Sequence, residues 1–132
     1  MRVLITGAGG MIGARLARRI VADGHVGGQA VTALTLADLT APTVPDATIQ
    51  VDCIAAELIT EAGRHAALAE PADLIFNLAA VVSGAAEADF DLGYRVNLDA
   101  TAAFLNDIRA AGGAPRVVSP SSVAAFGGPL PA

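Results

Sequence analysis

Three glycines near the amino terminus have a spacing that could bind a phosphate group. Gly7, Gly10 and Gly13 stand in the stretch ITGAGGMIG, directly after the apolar run of residues 3–5. Between a strand and a helix, Gly7 would allow a tight turn, Gly10 would leave room for a pyrophosphate, and Gly13 would allow close helix packing. The spacing is G-x-x-G-x-x-G rather than the commoner G-x-G-x-x-G, so an ordinary glycine-rich turn stays open as the alternative.

A carboxylate follows in a position suited to a ribose. Asp38 ends the run LTLAD, where it could accept hydrogen bonds from both hydroxyls of an adenosine ribose. It would repel a 2′-phosphate, and Leu39 and Thr40, which come next, offer no arginine to receive one. This pattern favours NAD over NADP, while a plain loop or capping aspartate is the alternative reading of Asp38.

The third predicted strand carries a second acidic residue and the single cysteine. We expect Asp52 to end this strand and to accept a hydrogen bond from the adenine amino group, with the backbone of Cys53 against the ring. The Cys53 side chain is better explained as a small buried residue than as a reactive thiol. One cysteine cannot form an internal disulfide, which suits a cytoplasmic location.

Strand and helix patterns alternate along the chain and must position these groups. Alternation of this kind predicts an α/β fold with a doubly wound parallel sheet of the Rossmann type, strand order 3-2-1-4-5, ending after strand 5. Ile12, Leu16 and Ile20 are expected on one apolar face of the first helix, and residues 25–30 as a loop. The predicted strands are residues 2–6, 31–37, 48–51, 72–78 and 116–119, and the predicted helices are residues 11–23, 55–69 and 86–111.

Composition limits the classes of function. The 132 residues suit one domain, with 54% hydrophobic and only 4% aromatic residues, so Ala, Val, Leu and Ile would fill the core. The net charge of −5 argues against a nucleic-acid partner. Polar residues interrupt the longest apolar region, so no membrane helix is expected. His25 and His65 lack partners at metal-ligand spacing, which predicts no metal site. A small polar molecule is the expected partner, and a homodimer stays open.

Further motifs resemble one known family. They are TGAGGMIG, NLAA at 77–80, NLDAT at 97–101 and SPSSVAAFG at 119–127. In this order they are similar to the extended short-chain dehydrogenase/reductases, also called NAD-dependent epimerase/dehydratases, over essentially the whole chain. Residues 77–101 and the ending SSVAAFGGPLP are most similar to the D-erythronate dehydrogenases of that family, which oxidise the 2-hydroxy group of a sugar acid with NAD.

The resemblance implies a role for each matching residue. Ala100 departs from the family pattern, which has glycine there. Ser122 would be catalytic, binding the reacting substrate oxygen, with Ser121 as the less favoured neighbour, although such serines also cap turns. Ser83 could contact a polar substrate, or be an ordinary loop serine. The implied cofactor-binding residues are Gly7, Gly10, Met11 and Ile12 for the pyrophosphate, Asp38 for the ribose, Asp52 and Cys53 for the adenine, Leu78, Ala79 and Ala80 for the nicotinamide half, and Asn97 near the cofactor.

The family's proton-transfer pair has no counterpart in this sequence. That pair is a tyrosine with a lysine four residues later, whereas all eight basic residues here are arginine. The single tyrosine, Tyr94, is followed at that distance by Leu98. We therefore expect residues 1–132 to be a partial NAD-binding Rossmann domain without its carboxyl-terminal substrate domain, and to be inactive alone. The alternatives are a nucleotide-sugar epimerase or dehydratase, or a non-catalytic NAD-binding or sensing module.

Overall fold

The computed structural model of this chain describes residues 1–44, 47–122, 125 and 127–128. Within them it contains seven strands, five α-helices and one π-helical segment. None of the helices in these residues is both long and apolar enough to cross a membrane. The strands are β1 (Arg2–Thr6), β2 (His25–Val26), β3 (Gln29–Ala30), β4 (Ala33–Asp38), β5 (Gln50–Ala55), β6 (Leu74–Asn77) and β7 (Arg116–Val118). The helices are α1 (Met11–Asp23), α2 (Glu61–Ala67), α3 (Ser83–Ala88), α4 (Phe90–Tyr94), the π segment (Arg95–Ala100) and α5 (Thr101–Ala111).

Five strands form one parallel sheet in the order β5-β4-β1-β6-β7. Counted along the chain without the short β2 and β3, this is the predicted order 3-2-1-4-5. The central strand β1 pairs Leu4 with Thr35 on one side and with Ile75 on the other. The predicted loop at residues 25–30 is instead a small antiparallel hairpin, in which Gly27 and Gly28 take positive φ values at the turn.

The core lies on both faces of this sheet. Val3 and Ile5 of β1 pack on the face covered by α1, where they meet Ile20. Leu4 points to the opposite face and packs with Phe104 and other residues of the second cluster. Successive side chains of β1 thus pack into the hydrophobic clusters on opposite faces of the sheet, as expected for a central parallel strand.

Helix α1 has the predicted bounds but a different buried face. Gly24 ends it with a φ of 69°, and its N–H donates to the carbonyl of Ile20 at 2.8 Å. Gly13, Ala17 and Ile20 are buried, whereas the side chain of Ile12 is 59% exposed. The expectation that Ile12 belongs to the apolar face is therefore wrong, because the glycine at position 13 is the residue that lies against the turn.

Strand β5 is longer and helix α2 shorter than predicted. The strand continues to Ala55, and α2 begins only at Glu61. Between them the chain turns, because the carbonyl of Glu57 accepts a hydrogen bond from the Thr60 N–H at 2.9 Å. The Thr60 side chain then caps α2 by accepting from the Gly63 N–H.

The predicted helix at residues 86–111 is divided. Asp89 has an extended backbone and its carboxylate accepts from the Leu92 N–H at 2.9 Å, so it ends α3 and caps α4. Gly93 does not break the helix, but it allows close packing, since a Cβ there would lie 2.8 Å from the Ala86 Cβ. The π segment then joins α4 to α5 without interruption.

Candidate cofactor-binding site

A cleft of about 600 Å³ opens at the carboxyl ends of the parallel strands. Its lining comes from the loops after β1, β4, β5 and β6, with Leu92 and Val96 on one side. Strand β1 stands between β4 and β6, and the chain order reverses there, so the cleft lies at the point where doubly wound sheets bind ligands. The volume is in the range of small-molecule sites, roughly 300–1,000 Å³.

The glycine turn after β1 is shaped by two close approaches. Gly7 has a φ of 66°, and a Cβ there would lie 2.6 Å from the backbone nitrogen of Ala79 in the loop after β6. A Cβ at Gly13 would overlap the Gly7 carbonyl oxygen and lie 2.7 Å from the Ala8 Cα. Both glycines therefore let backbone pack directly on backbone, and Gly13 brings α1 against the turn itself.

Asp38 is fixed against this turn by two backbone hydrogen bonds. Its Oδ2 accepts from the Gly9 N–H at 2.8 Å and its Oδ1 from the Leu39 N–H at 2.7 Å. A Cβ at Gly9 would lie only 3.1 Å from that Oδ2. Gly9 is a site residue that the sequence interpretation missed, although the doublet Gly9–Gly10 was a signal for it.

The expected position of Asp52 and Cys53 is wrong. Both lie inside β5 rather than at its end, and neither lines the cleft. The Asp52 carboxylate accepts from the side-chain amide of Gln50 at 2.8 Å. Cys53 packs against the core on the α1 face, and burial, then the negative charge of Asp52, raise the pKa of its thiol.

Residues after the true end of β5 line the cleft in their place. The Ala56 N–H donates to the Asp38 carbonyl at 2.7 Å, which joins this loop to the end of β4. Glu57 and Leu58 follow and form the cleft wall next to Asp38. Glu57 and Leu58, rather than Asp52 and Cys53, therefore line the cleft beside Asp38.

The loop after β6 is held by a buried polar pair that the sequence interpretation did not single out. The Thr6 hydroxyl donates to the Asn77 Oδ1 at 2.8 Å, and the Ala79 N–H donates to the Thr6 Oγ1 at 3.4 Å. Both side chains end apolar strands, which was the available signal. This network places Leu78, Ala79 and Ala80 in the cleft lining, while their contact with a nicotinamide half stays a prediction.

Asn97 acts on the same loop from the π segment. Its Oδ1 accepts from the Val81 N–H at 2.9 Å and its Nδ2 donates to the Val81 carbonyl at 3.0 Å. The two bonds hold Val81, which lines the cleft, whereas Asn97 does not line it. The observed role of Asn97 is to position this loop, and direct contact with a cofactor stays a prediction.

Of the predicted substrate residues, Ser121 and Ser122 are not among the described residues that line the cleft. Ser121 and Ser122 follow β7 and are exposed, and the Ser122 carbonyl accepts from the Ala125 N–H at 3.0 Å. Ser83 begins α3, but its side chain lies outside the described part of the structure, as do Val123 and Ala124 of the serine motif. The roles proposed for the three serines are therefore still predictions.

The start of α1 offers backbone groups that could bind an anion. Helix α1 starts at Met11 with no side-chain cap, and its first intrahelical bond runs from the Ala14 N–H to the Gly10 carbonyl. The Gly10 N–H donates to the Gly7 carbonyl at 3.1 Å, whereas those of Met11 and Ile12 have no partner among the described residues and could bind an anion at the positive helix end. The carboxylate of Asp38 lies nearby and could accept hydrogen bonds from hydroxyl groups of a ligand. Among the described residues, no group of His, Cys, Asp and Glu could hold a metal ion.

Comparisons with known proteins agree with this geometry. The model of the NAD-dependent epimerase/dehydratase family matches residues 3–131. The chain is 47% identical to a D-erythronate dehydrogenase of Cupriavidus necator and 39% identical to one of Haemophilus influenzae, in each case over 99% of this chain. A solved structure described as a nucleoside-diphosphate-sugar epimerase from Agrobacterium tumefaciens is 46% identical, with a TM-score of 0.92 over 99% of this chain.

These relatives are longer than the chain described here. The chain spans 41% of the length of each dehydrogenase and 40% of the epimerase chain. The similarity nevertheless includes the glycine turn, the cleft loops and the five-stranded parallel sheet. The chain therefore belongs to the NAD-dependent epimerase/dehydratase family.

Proposed function

We propose that this chain is the NAD-binding part of a cytoplasmic dehydrogenase that oxidises the 2-hydroxy group of a sugar acid such as D-erythronate. The observation that carries the cofactor assignment is the Asp38 carboxylate, held at the cleft by the N–H groups of Gly9 and Leu39. The substrate class is supported by the two dehydrogenases at 47% and 39% identity. NAD, when bound, would supply the acceptor for the hydride.

The residues of this chain would divide the work of binding. Each oxygen of Asp38 accepts one backbone N–H, which leaves lone pairs on both oxygens for two ribose hydroxyls. The first N–H groups of α1, at Met11 and Ile12, would hold the pyrophosphate. Glu57 and Leu58 would face the adenine, and the 78–80 segment would lie against the nicotinamide half.

The substrate hydroxyl would be bound by Ser122, with Ser121 beside it and Ser83 as a further polar contact. Proton transfer in the family uses a tyrosine with a lysine four residues later, and this sequence has no such pair. Tyr94, on α4, is half-exposed and forms a ring contact with Phe90. We therefore assign to this chain the binding of cofactor and substrate, and no proton-transfer step.

Replacing Asp38 with alanine tests the cofactor assignment. We expect the parent chain to bind NAD⁺ in preference to NADP⁺, because a carboxylate repels a 2′-phosphate. Asp38→Ala should weaken NAD⁺ about tenfold, since hydrogen bonds to a charged group are lost, and should remove most of the preference. Isothermal titration with both dinucleotides measures this. Asp23→Ala is the matched control, because Asp23 pairs with Arg19 on the surface of α1. An unchanged preference in Asp38→Ala would contradict the assignment.

A nucleotide-sugar epimerase or dehydratase is the second candidate. It is favoured by the similarity to the Agrobacterium tumefaciens structure at 46% identity. With NAD⁺ present, titration with D-erythronate and with UDP-glucose separates the two classes. Binding of D-erythronate alone supports the sugar-acid enzyme, and binding of UDP-glucose alone supports the epimerase.

A further inference from the structure

A partly buried ion pair joins the helices behind the wall formed by residues 57–59. The Arg64 Nε of α2 lies 2.6 Å from the Asp107 Oδ2 of α5, and the two side chains are 12% and 24% exposed. By contrast, the side chain of Arg19 in its pair with Asp23 is 77% exposed. Withdrawing a charged pair from water costs free energy that the attraction only partly offsets, so net stability alone is a weak explanation for it.

The same guanidinium also reaches the cleft wall. The Arg64 Nη1 donates to the carbonyls of Leu58 at 3.2 Å and Ile59 at 3.4 Å. Both residues line the cleft. Because Nε is engaged by Asp107, the planar guanidinium is oriented so that Nη1 points at these two carbonyls. Asp107 therefore sets the direction from which Arg64 holds the wall.

The first turn of α2 holds the adjoining residue of the wall. The Glu57 carbonyl accepts from the Thr60 hydroxyl at 2.8 Å as well as from its N–H. A Cβ at Gly63 would lie 2.6 Å from the Glu57 carbonyl carbon and 2.7 Å from its nitrogen, so this helix packs directly on the Glu57 backbone. Each residue from 57 to 59 thus has its backbone fixed by α2.

We propose that Arg64, oriented by Asp107, is a positioning residue that preorganises residues 57–59 for the adenosine half of a dinucleotide. This inference rests on the proposed function, in which the cleft binds NAD and Asp38 marks the ribose. Arg64 itself does not line the cleft, so it acts through the two carbonyls that it holds. A preordered wall loses less conformational freedom on binding, and affinity for the adenosine half is gained without a new contact.

Half-cofactor titrations test this selectivity. AMP carries the adenosine half and nicotinamide mononucleotide the other half, and NMR titration measures each affinity separately. We expect Arg64→Met to lower the affinity for AMP and for NAD⁺ about tenfold, because hydrogen bonds from a charged donor are lost. The affinity for nicotinamide mononucleotide should change by no more than about twofold. Arg64→Lys keeps the charge without the planar fork, so its effect should be intermediate. Arg19→Met, on the surface of α1, is the matched control and should change neither affinity.

Amide hydrogen exchange gives a readout that needs no ligand. The N–H groups of Thr60 and Gly63 donate to Glu57 and to the Thr60 hydroxyl, so their exchange reports the order of the wall. We expect exchange at both to be about tenfold faster in Arg64→Met and Asp107→Asn, and unchanged in Arg19→Met. If Arg64→Met does not fold, Arg64→Lys and Asp107→Asn decide the same comparison.

The outcomes separate the inference from the proposed function. If the parent chain binds NAD⁺ but the Arg64 variants lose affinity for AMP and for nicotinamide mononucleotide equally, the positioning role of Arg64 is overturned and the proposed function is not. Unchanged exchange at Thr60 and Gly63 overturns it as well. A parent chain that binds neither NAD⁺ nor AMP overturns the proposed function and, with it, the inference.

Discussion

Gly13→Ala should destabilise the protein, although alanine is the better helix former. The gain in helix propensity is about 1 kcal/mol. Against it, the new Cβ would lie 2.7 Å from the Ala8 Cα and 2.9 Å from the Gly7 carbonyl carbon. Carbon atoms pack at about 3.5–4.0 Å, so α1 must move roughly 1 Å away from the turn. Overpacking of this kind costs up to about 3 kcal/mol, and we expect a net loss of about 2 kcal/mol.

Urea unfolding followed by far-UV circular dichroism measures this loss. Gly84→Ala is the matched control, because Gly84 also lies in a helix and a Cβ there would have no neighbour within 4 Å. That substitution should be neutral or stabilise the fold by up to about 1 kcal/mol. Gly13→Ala should also weaken NAD⁺, because the displaced helix carries the phosphate-facing N–H groups away from the turn. Equal unfolding midpoints for Gly13→Ala and the parent would refute the close approach of α1 to the turn.

Two further predictions concern the loop after β6 and the cysteine. Asn97→Ala should lower the free energy of unfolding by about 1–2 kcal/mol, because both hydrogen bonds to Val81 are lost, and should weaken NAD⁺ binding. Urea unfolding midpoints and calorimetric titration with NAD⁺ measure the two effects. Unchanged values would contradict the positioning role of Asn97. The pKa of the Cys53 thiol is raised above its ordinary value of 9.0, so the unfolded chain releases this proton first. This contribution to stability should be complete below pH 9.0 and lost as the pH rises through the folded pKa. Urea midpoints against pH should show this decline in the parent and not in Cys53→Ala.

The sequence predicted elements whose ends are decided locally. Helix α1 ends at Asp23 as expected, because Gly24 adopts the left-handed conformation that stops a helix. The sequence pattern predicts that β5 ends before Asp52, because a polar residue after an apolar run is typical of a strand end, whereas the strand continues to Ala55. It lies at the edge of the sheet, where a polar side chain can stay in solvent while Val51 and Cys53 pack against the core. The pattern of an edge strand therefore resembles that of a strand followed by a loop.

The parts of the site that were missed depend on contacts between distant segments. Arg64 and Asp107 are 43 residues apart, and neither carries a local signal for the other. The Thr6–Asn77 pair likewise forms only when two strands become neighbours in the sheet. Asp38 was predicted because a carboxylate at a strand end has a recognised use, but its bond to Gly9 follows from the shape of the turn.

The π segment fixes the number of residues between α4 and α5. Buried Ala100, Phe104 and Ile108 recur every fourth residue, and Asn97 precedes them on the same continuous helix. Removing one residue between Asn97 and Ala100 would rotate Asn97 and everything before it by about 100° relative to α5. Either Asn97 would lose its hydrogen bonds to Val81, or Phe104 would lose its packing against the sheet. The wider π turn thus lets one continuous helix place Asn97 at Val81 and Phe104 in the core, which a regular α-helix with one residue fewer could not do.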